Sequence, residues 1–219
     1  MVSLSMSGTF GFLTLPRRIF IGAMLACLLA GAAPTHANGT ALAFVQQVGD
    51  TAITDLTAPG ISDSDRVTRM RKMLSNIFDE EAVARFVLGP YARRATPAEF
   101  KEFVELYKVY VAHNYASLFK RYSGKKVEMQ REQPVGNDEV AVIGVIRQPA
   151  GPTVNMEMRV HKVGGAFKAL DLKIEGVSMP LTHRKQFASV LNQRGNKISG
   201  LLEALRGAIT RFEAETPSK

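Results

Sequence analysis

The period of the apolar residues changes twice along this chain, and that change limits its fold more than any other feature. Up to about position 122 apolar residues recur every three to four positions, between 127 and 177 they alternate, and after Pro180 the longer period returns. The alternation is clearest where Val154, Met156, Met158 and Val160 share one face and Asn155, Glu157, Arg159 and His161 the other. It recurs where Leu170, Leu172 and Ile174 oppose Asp171, Lys173 and Glu175. Period two with one polar side marks an antiparallel sheet that is wet on one face. Strands are expected at 127–131, 139–147, 153–162 and 167–177, separated by QPVGND, QPAGP and Gly164-Gly165, all turn chemistry. Helices, a four-stranded meander and helices again make an α+β domain.

The flanking helices carry their own boundaries. Leu42, Val45, Val48 (or Gly49), Ala52 and Leu56 form one apolar stripe, ended by Pro59-Gly60. Ser62 or Asp63 caps a second helix with Val67, Met70, Met73, Leu74 and Ile77 on its apolar face. Asp79 caps a short helix reaching Leu88, closed by Gly89-Pro90. Thr96-Pro97-Ala98-Glu99 is a capping box with proline at the first helical position, opening a long helix to about Tyr122. The C-terminal helical stretch shows Phe187, Val190 and Leu191, then Ile198, Leu201, Leu202, Leu205 and Ile209, and the tail from Glu213 is expected to fray.

Residues 1–37 read as a signal peptide: Arg17-Arg18 precede the apolar run IFIGAMLACLLAGAA, and Thr35-His36-Ala37 supplies small residues at the cleavage site. The run of fifteen residues is shorter than the roughly 20 that span a bilayer core. The sequence PRRIFI leaves both the general and the twin-arginine export routes open. Residues 38–219 then form one domain. Cys27, the only cysteine, leaves with the signal, so the domain can form neither a disulfide nor a thiolate metal site. Removing two arginines and no acid lowers the net charge from +8 to +6. Export argues against nucleic acid as the partner of that charge and points to anionic membrane surfaces or acidic proteins.

Gly176-Val177-Ser178 resembles the start of a hydrolase nucleophile elbow, with His183 nearby. However, Pro180 stands where the second glycine belongs, the preceding strand is in an antiparallel meander, and every later acidic residue follows His183. Ser178 reads instead as a joint between strand and helix. His113, His161 and His183 lie on different elements without metal-ligand spacing, and no phosphate-binding glycine motif occurs. No catalytic residue, metal or cofactor is expected.

The long helix is unusual in carrying Phe100, Phe103, Tyr107, Tyr110, Tyr115, Phe119 and Tyr122, while the apolar sheet face carries Met129, Met156 and Met158. Aromatics over flexible methionines could wrap a greasy ligand of variable shape or form an ordinary core; periodicity leaves both open. Basic clusters at Arg66, Arg69, Arg71 and Lys72, at Arg93-Arg94, and at Lys120, Arg121, Lys125 and Lys126 read as solvated surface or as a docking face.

Three stretches, FDEEAVARFVLGPYARRATPAEFKEF, LFKRYSGKKVEM and LDLKIEGVSMPLTHRKQFASVLNQRGNKISGLLEAL, resemble the MlaC family of periplasmic toluene-tolerance proteins, over about residues 41–212. Family members usually read Tyr-Trp-Arg where this chain has Tyr91-Ala92-Arg93. The resemblance implies a nuclear-transport-factor-like or cystatin-like fold, with a curved sheet and helices enclosing a pocket for phospholipid acyl tails. It implies a monomeric carrier, with lipid as cargo and no cofactor. The carrier moves lipid between an outer-membrane lipoprotein complex and an inner-membrane ABC transporter with MCE-domain proteins, maintaining outer-membrane asymmetry. Carried over by position, the pocket involves Val127, Met129, Val140, Val142, Met156, Met158, Leu170, Leu172 and Ile174 of the sheet, with Phe103, Tyr107 and Tyr110 of the long helix. A hopanoid or other polycyclic lipid is an alternative cargo. A small isomerase with a buried carboxylate is an alternative function on such a fold; the inward sheet positions, which hold no Asp, Glu or His, count against it.

Overall fold

Helix stripes, then alternation, then helix stripes again dictate the order of elements seen in the computed structural model, which describes residues 40–122, 124–136, 138–148 and 151–215. The expected leader, residues 1–37, lies outside them. Four helices come first, α1 (Ala41–Leu56), α2 (Asp63–Ile77), α3 (Glu80–Leu88) and α4 (Pro97–Ala116). The sheet follows as β1 (Lys126–Gly136), β2 (Glu139–Arg147), β3 (Val154–Val163), β4 (Ala166–Ile174) and β5 (Val177–Ser178), and the described chain ends with α5 (Met179–Gln193) and α6 (Ile198–Glu215). Side chains cap the helices where the sequence offers oxygen acceptors: Thr40, Ser62, Asp79, Thr96 and Ser178 each accept a hydrogen bond from the first turn of α1 to α5 respectively. The Thr96–Glu99 capping box is complete.

The sheet is an antiparallel meander in the order β1-β2-β3-β4-β5. Four strands are expected from the alternation and five are present, because Glu175 and Gly176 both take left-handed backbone angles (φ 50° and 76°). That tight turn folds Val177-Ser178 back onto Lys173 and Ile174 as a short fifth strand. The first strand runs to Gly136 rather than 131, extending a hairpin with an exposed outer half. The outer face bears the cross-strand pairs Glu128–Arg147, Glu139–Arg159 and Glu157–Lys173, with Ala141 and Val145 buried among them.

Helix α1 lies along β1. Its Leu42 amide donates to Glu132 Oε2 (2.6 Å), and Gln46 brackets the strand, donating to the Val127 carbonyl (3.0 Å) and accepting from the Met129 amide (2.8 Å). Gly49 permits the approach, since a Cβ there would stand 2.6 Å from Val127 Cγ1. The junction of α2 and α3 is pinned to β3 and β4: the Asp79 amide donates to the Ala169 carbonyl of β4 (3.0 Å) and the Asp79 carboxylate pairs with His161 of β3 (3.0 Å). Two members of the basic cluster on α2 turn out to be structural. Arg66 is buried and donates to the Leu56 and Ile61 carbonyls, and Arg69 donates to the Asp55 carbonyl, so both satisfy acceptors at the end of α1. At the C-terminus, α6 stays helical to Glu215, past the expected fraying point.

Buried side chains form three clusters rather than one. The first joins α3, α4, α5 and α6 around Phe103, Phe187, Leu191 and Leu205. The second joins α1 to the sheet around Val45, Val142, Met158 and Val160, and the third holds Leu56, Met70, Ala112 and Ala116 between α1, α2 and α4. A close-packed domain normally merges such clusters. Here a space lies among them.

Candidate functional site

That space is an apolar cavity of about 210 Å³. Its walls come from all three clusters: Val45, Val48 and Ile53 of α1; Met70, Met73, Leu74 and Ile77 of α2; and Val104, Tyr107, Val111 and Tyr115 of α4. Leu118 and Phe119 of the 3-10 turn Ser117–Tyr122 add to the wall, as do Met179, Pro180 and His183 at the start of α5. The floor is the sheet, through Val127, Ile146, Met156, Met158, Leu172 and Ile174. Val111, Leu172 and Ile174 are only half-buried although they point inward, because no protein atom fills the space before them. Each such face forfeits dispersion contacts that a packed core would make.

Of the six methionines from position 38 onward, five line this cavity: Met70, Met73, Met156, Met158 and Met179. Unbranched and polarizable, they let the wall reshape. Reshaping matters, since the cavity is only modestly larger than the roughly 150 Å³ that accepts a benzene. A larger polar groove of about 540 Å³, lined by Asp55, Arg69 and Lys72, lies between α1 and α2 and shares Val48, Met73 and Ile77 with the wall. Its charges make it unsuited to an apolar guest.

Besides Tyr107 and Tyr115, three ionisable groups interrupt the apolar wall, all from helices. Lys108 and Glu80 pair at 3.2 Å; Lys108 also pairs with Glu105 (3.2 Å), and the Ser75 hydroxyl donates to Glu80 (2.6 Å). His183 is buried, its Nδ1 2.8 Å from the Tyr107 hydroxyl and its Nε2 3.0 Å from the Tyr115 hydroxyl. Burial pushes the imidazole down to about 4, so it is neutral at pH 7, and burial likewise raises the phenols of Tyr107 and Tyr115 above their ordinary range. Ser178 Oγ does not engage His183. It donates to the buried Asp171 carboxylate (2.9 Å) and accepts from the Leu181 amide (3.2 Å), capping α5. Burial raises the Asp171 carboxyl.

Six of the twelve expected site residues line the cavity: Tyr107, Val127, Met156, Met158, Leu172 and Ile174. The other six are elsewhere, for identifiable reasons. Phe103 stacks on Tyr107 (centroids 5.5 Å apart) one turn away and meets Phe187 edge-on, inside the first cluster. Tyr110 packs on His183, Phe187 and Phe212, behind the wall. Met129, Val140 and Val142 belong to the half of the sheet that the start of α1 covers with Ala41, Leu42 and Val45. Leu170 is the extra residue of a bulge: Arg159 pairs with Asp171 but Val160 with Ala169, so Ala169 takes the inward place.

The helical lining of α1 and α2 was visible as apolar stripes, yet nothing in a stripe says whether it faces protein or a void. Glu80, Lys108 and His183 gave no sequence signal as wall residues.

The family model for MlaC protein matches residues 46–207. The chain belongs to the MlaC family. Among individual MlaC relatives, it is 18% identical over 143 residues to the toluene tolerance protein ttg2D of Pseudomonas putida; the match spans 65% of this chain and 66% of that protein, just under two thirds of its length. A phospholipid-binding protein of Ralstonia solanacearum, solved in complex with a phospholipid, shares the fold at a TM-score of 0.70 and 20% identity, covering 80% of this chain and 99% of that one. The α+β fold of this MlaC family member is therefore the fold of a phospholipid-binding protein.

Proposed function

We propose that this protein is a periplasmic phospholipid carrier that holds acyl tails in the cavity and shuttles lipid between an outer-membrane lipoprotein complex and an inner-membrane ABC transporter with MCE-domain proteins, so maintaining outer-membrane asymmetry. The observation that carries this reading is the unfilled, methionine-lined space between three packed clusters. Membership of the MlaC family and the fold shared with a phospholipid-binding protein support it.

The energetics suit a shuttle. Each CH₂ removed from water contributes roughly 0.8 kcal/mol, so tails can be held across an aqueous gap without a covalent step. A membrane offers tails a similar gain, so transfer is nearly balanced and the docking partners set its direction. Residues 1–37 would direct export and be cleaved, leaving residues 38–219 as the carrier with a net charge of +6. No nucleic acid, metal or cofactor enters this scheme, and no oligomer is needed.

The test is transfer of a fluorescent diacyl phospholipid between donor and acceptor vesicles by residues 38–219. Transfer that rises in proportion to protein concentration supports a soluble carrier. Transfer no faster than without protein, with no lipid taken up from vesicles, overturns it.

A further inference from the structure

His183 and its two tyrosines determine where a neutral hydrogen-bond donor of the cavity wall lies. A neutral imidazole has one N–H and one bare nitrogen, so of two phenols on its two nitrogens one donates and the other accepts. Both tyrosines line the cavity, but the Tyr107–Nδ1 bond is buried whereas the Tyr115–Nε2 bond is only partly so, and the Tyr107 ring packs between Phe103 and Phe187. The more buried O–H is the costlier one to leave unpaired, which favours donation from Tyr107 to Nδ1. Nδ1 is then the bare nitrogen, and Nε2–H donates to the Tyr115 oxygen.

Tyr115 has accepted a bond and still owns a proton. Among the described residues no acceptor other than the His183 ring is bonded to its hydroxyl, and its side chain lines the cavity, half-buried. The charged groups of the wall hold one another: Lys108 pairs with Glu80 and Glu105, and Glu80 also accepts from Ser75. The Tyr115 O–H is thus a neutral donor on a mostly apolar wall, its oxygen held in place by His183.

We propose that the Tyr115 hydroxyl is a polar subsite of the cavity that donates to an ester carbonyl of the bound lipid, so that the protein selects ester-linked over ether-linked lipids. The acceptors that a diacyl lipid brings into an apolar cavity without desolvating its charged headgroup are its ester carbonyls. A dialkyl lipid of equal chain length offers the same apolar surface but lacks them. The inference rests on the carrier reading above and adds what the carrier discriminates.

The test is a competition. Protein freed of lipid is loaded from vesicles of equimolar diacyl and dialkyl phosphatidylcholine of the same chain length, and the bound lipids are counted by native mass spectrometry. One hydrogen bond of ordinary net strength predicts that wild type favours the diacyl lipid roughly two- to tenfold. Tyr115→Phe is expected to bring the ratio to about one. That variant also leaves Nε2–H without its acceptor, which lowers stability and total loading but acts on both lipids alike. Should it not fold, Tyr115→Met removes the hydroxyl at similar bulk, and the wild-type ratio is in any case a reading independent of both variants. A wild-type ratio near one, or a preference unchanged in Tyr115→Phe, overturns the subsite while leaving the carrier intact. Uptake of neither lipid by wild type overturns both.

Discussion

Leu172→Asp is the substitution that separates binding from folding most cleanly. Leu172 stands on β4 opposite Met158 of β3, its side chain facing the cavity. It is half-buried because its free side meets empty space, so in the unliganded protein water can hydrate a carboxylate placed there. Folding should lose roughly 1–2 kcal/mol, lowering the melting temperature by about 2–8 °C. A bound tail, however, must displace that water. The carboxylate can then either stay charged at several kcal/mol or take up a proton. Protonation from a pKa of about 3.9 at pH 7 costs about 4 kcal/mol, which sets the ceiling. Affinity for a phospholipid should therefore fall roughly 100- to 1000-fold at pH 7, recovering about tenfold per unit as pH drops toward 4. Leu172→Ala, which only removes contacts, should cost less than about tenfold. Lipid occupancy by native mass spectrometry against vesicle concentration, with circular dichroism melts alongside, measures both quantities. A folded Leu172→Asp protein with wild-type occupancy at pH 7 would refute the placement of tails against β4. Met158→Asp is a blunter probe: Met158 is 4% exposed and packed in the second cluster, so it endangers the fold as well.

Other consequences can be checked by stability alone. Because the folded His183 pKa of about 4 lies below the unfolded value near 6.5, the unfolded chain takes its proton first. Stability should decline as pH falls from about 6.5 to about 4, by roughly 3 kcal/mol in full, and His183→Phe should lose that decline in denaturant titrations at pH 7 and 4.5. Asp171, raised by burial, pulls the opposite way in both proteins, so the comparison isolates the histidine. In Gly144→Ala the new Cβ would collide with the Glu128 carbonyl oxygen, a backbone atom of β1; a loss of about 1–3 kcal/mol is expected in a thermal melt. Ser178→Ala removes a helix cap and the partner of Asp171 and should cost roughly 1–2 kcal/mol while leaving lipid uptake unchanged.

How much of this was legible in the sequence depends on the range of the interaction. Caps and turns are local, so Ser62, Asp79 and the Thr96–Glu99 box begin helices where the sequence puts them. Sheet faces follow from alternation as far as the alternation holds, and Met156, Met158, Leu172 and Ile174 are inward as read. It fails at Leu170, where one bulge residue shifts the face of everything before it on β4. The fifth strand was hidden because two residues are too few to show a period, although Gly176 marked the turn. Periodicity could not reveal the cavity, which only the family resemblance implied. An apolar stripe on α1 or α2 looks the same whether packed or lining a void, and the wall residues Glu80, Lys108 and His183 are brought there by tertiary contacts between helices far apart in sequence. Tyr110 and Phe103 illustrate the converse, since aromatic residues one turn either side of Tyr107 serve packing alone.

The central claim, that the space between the three clusters holds lipid tails, is tested most directly by native mass spectrometry of the protein purified from a periplasm, followed by organic extraction and lipid identification. A stoichiometric diacyl phospholipid, released when the protein is denatured and scarce in Leu172→Asp, is the predicted result. A polycyclic lipid in its place would contradict the phospholipid assignment, and a protein that arrives empty and stays empty when mixed with vesicles would contradict the claim itself.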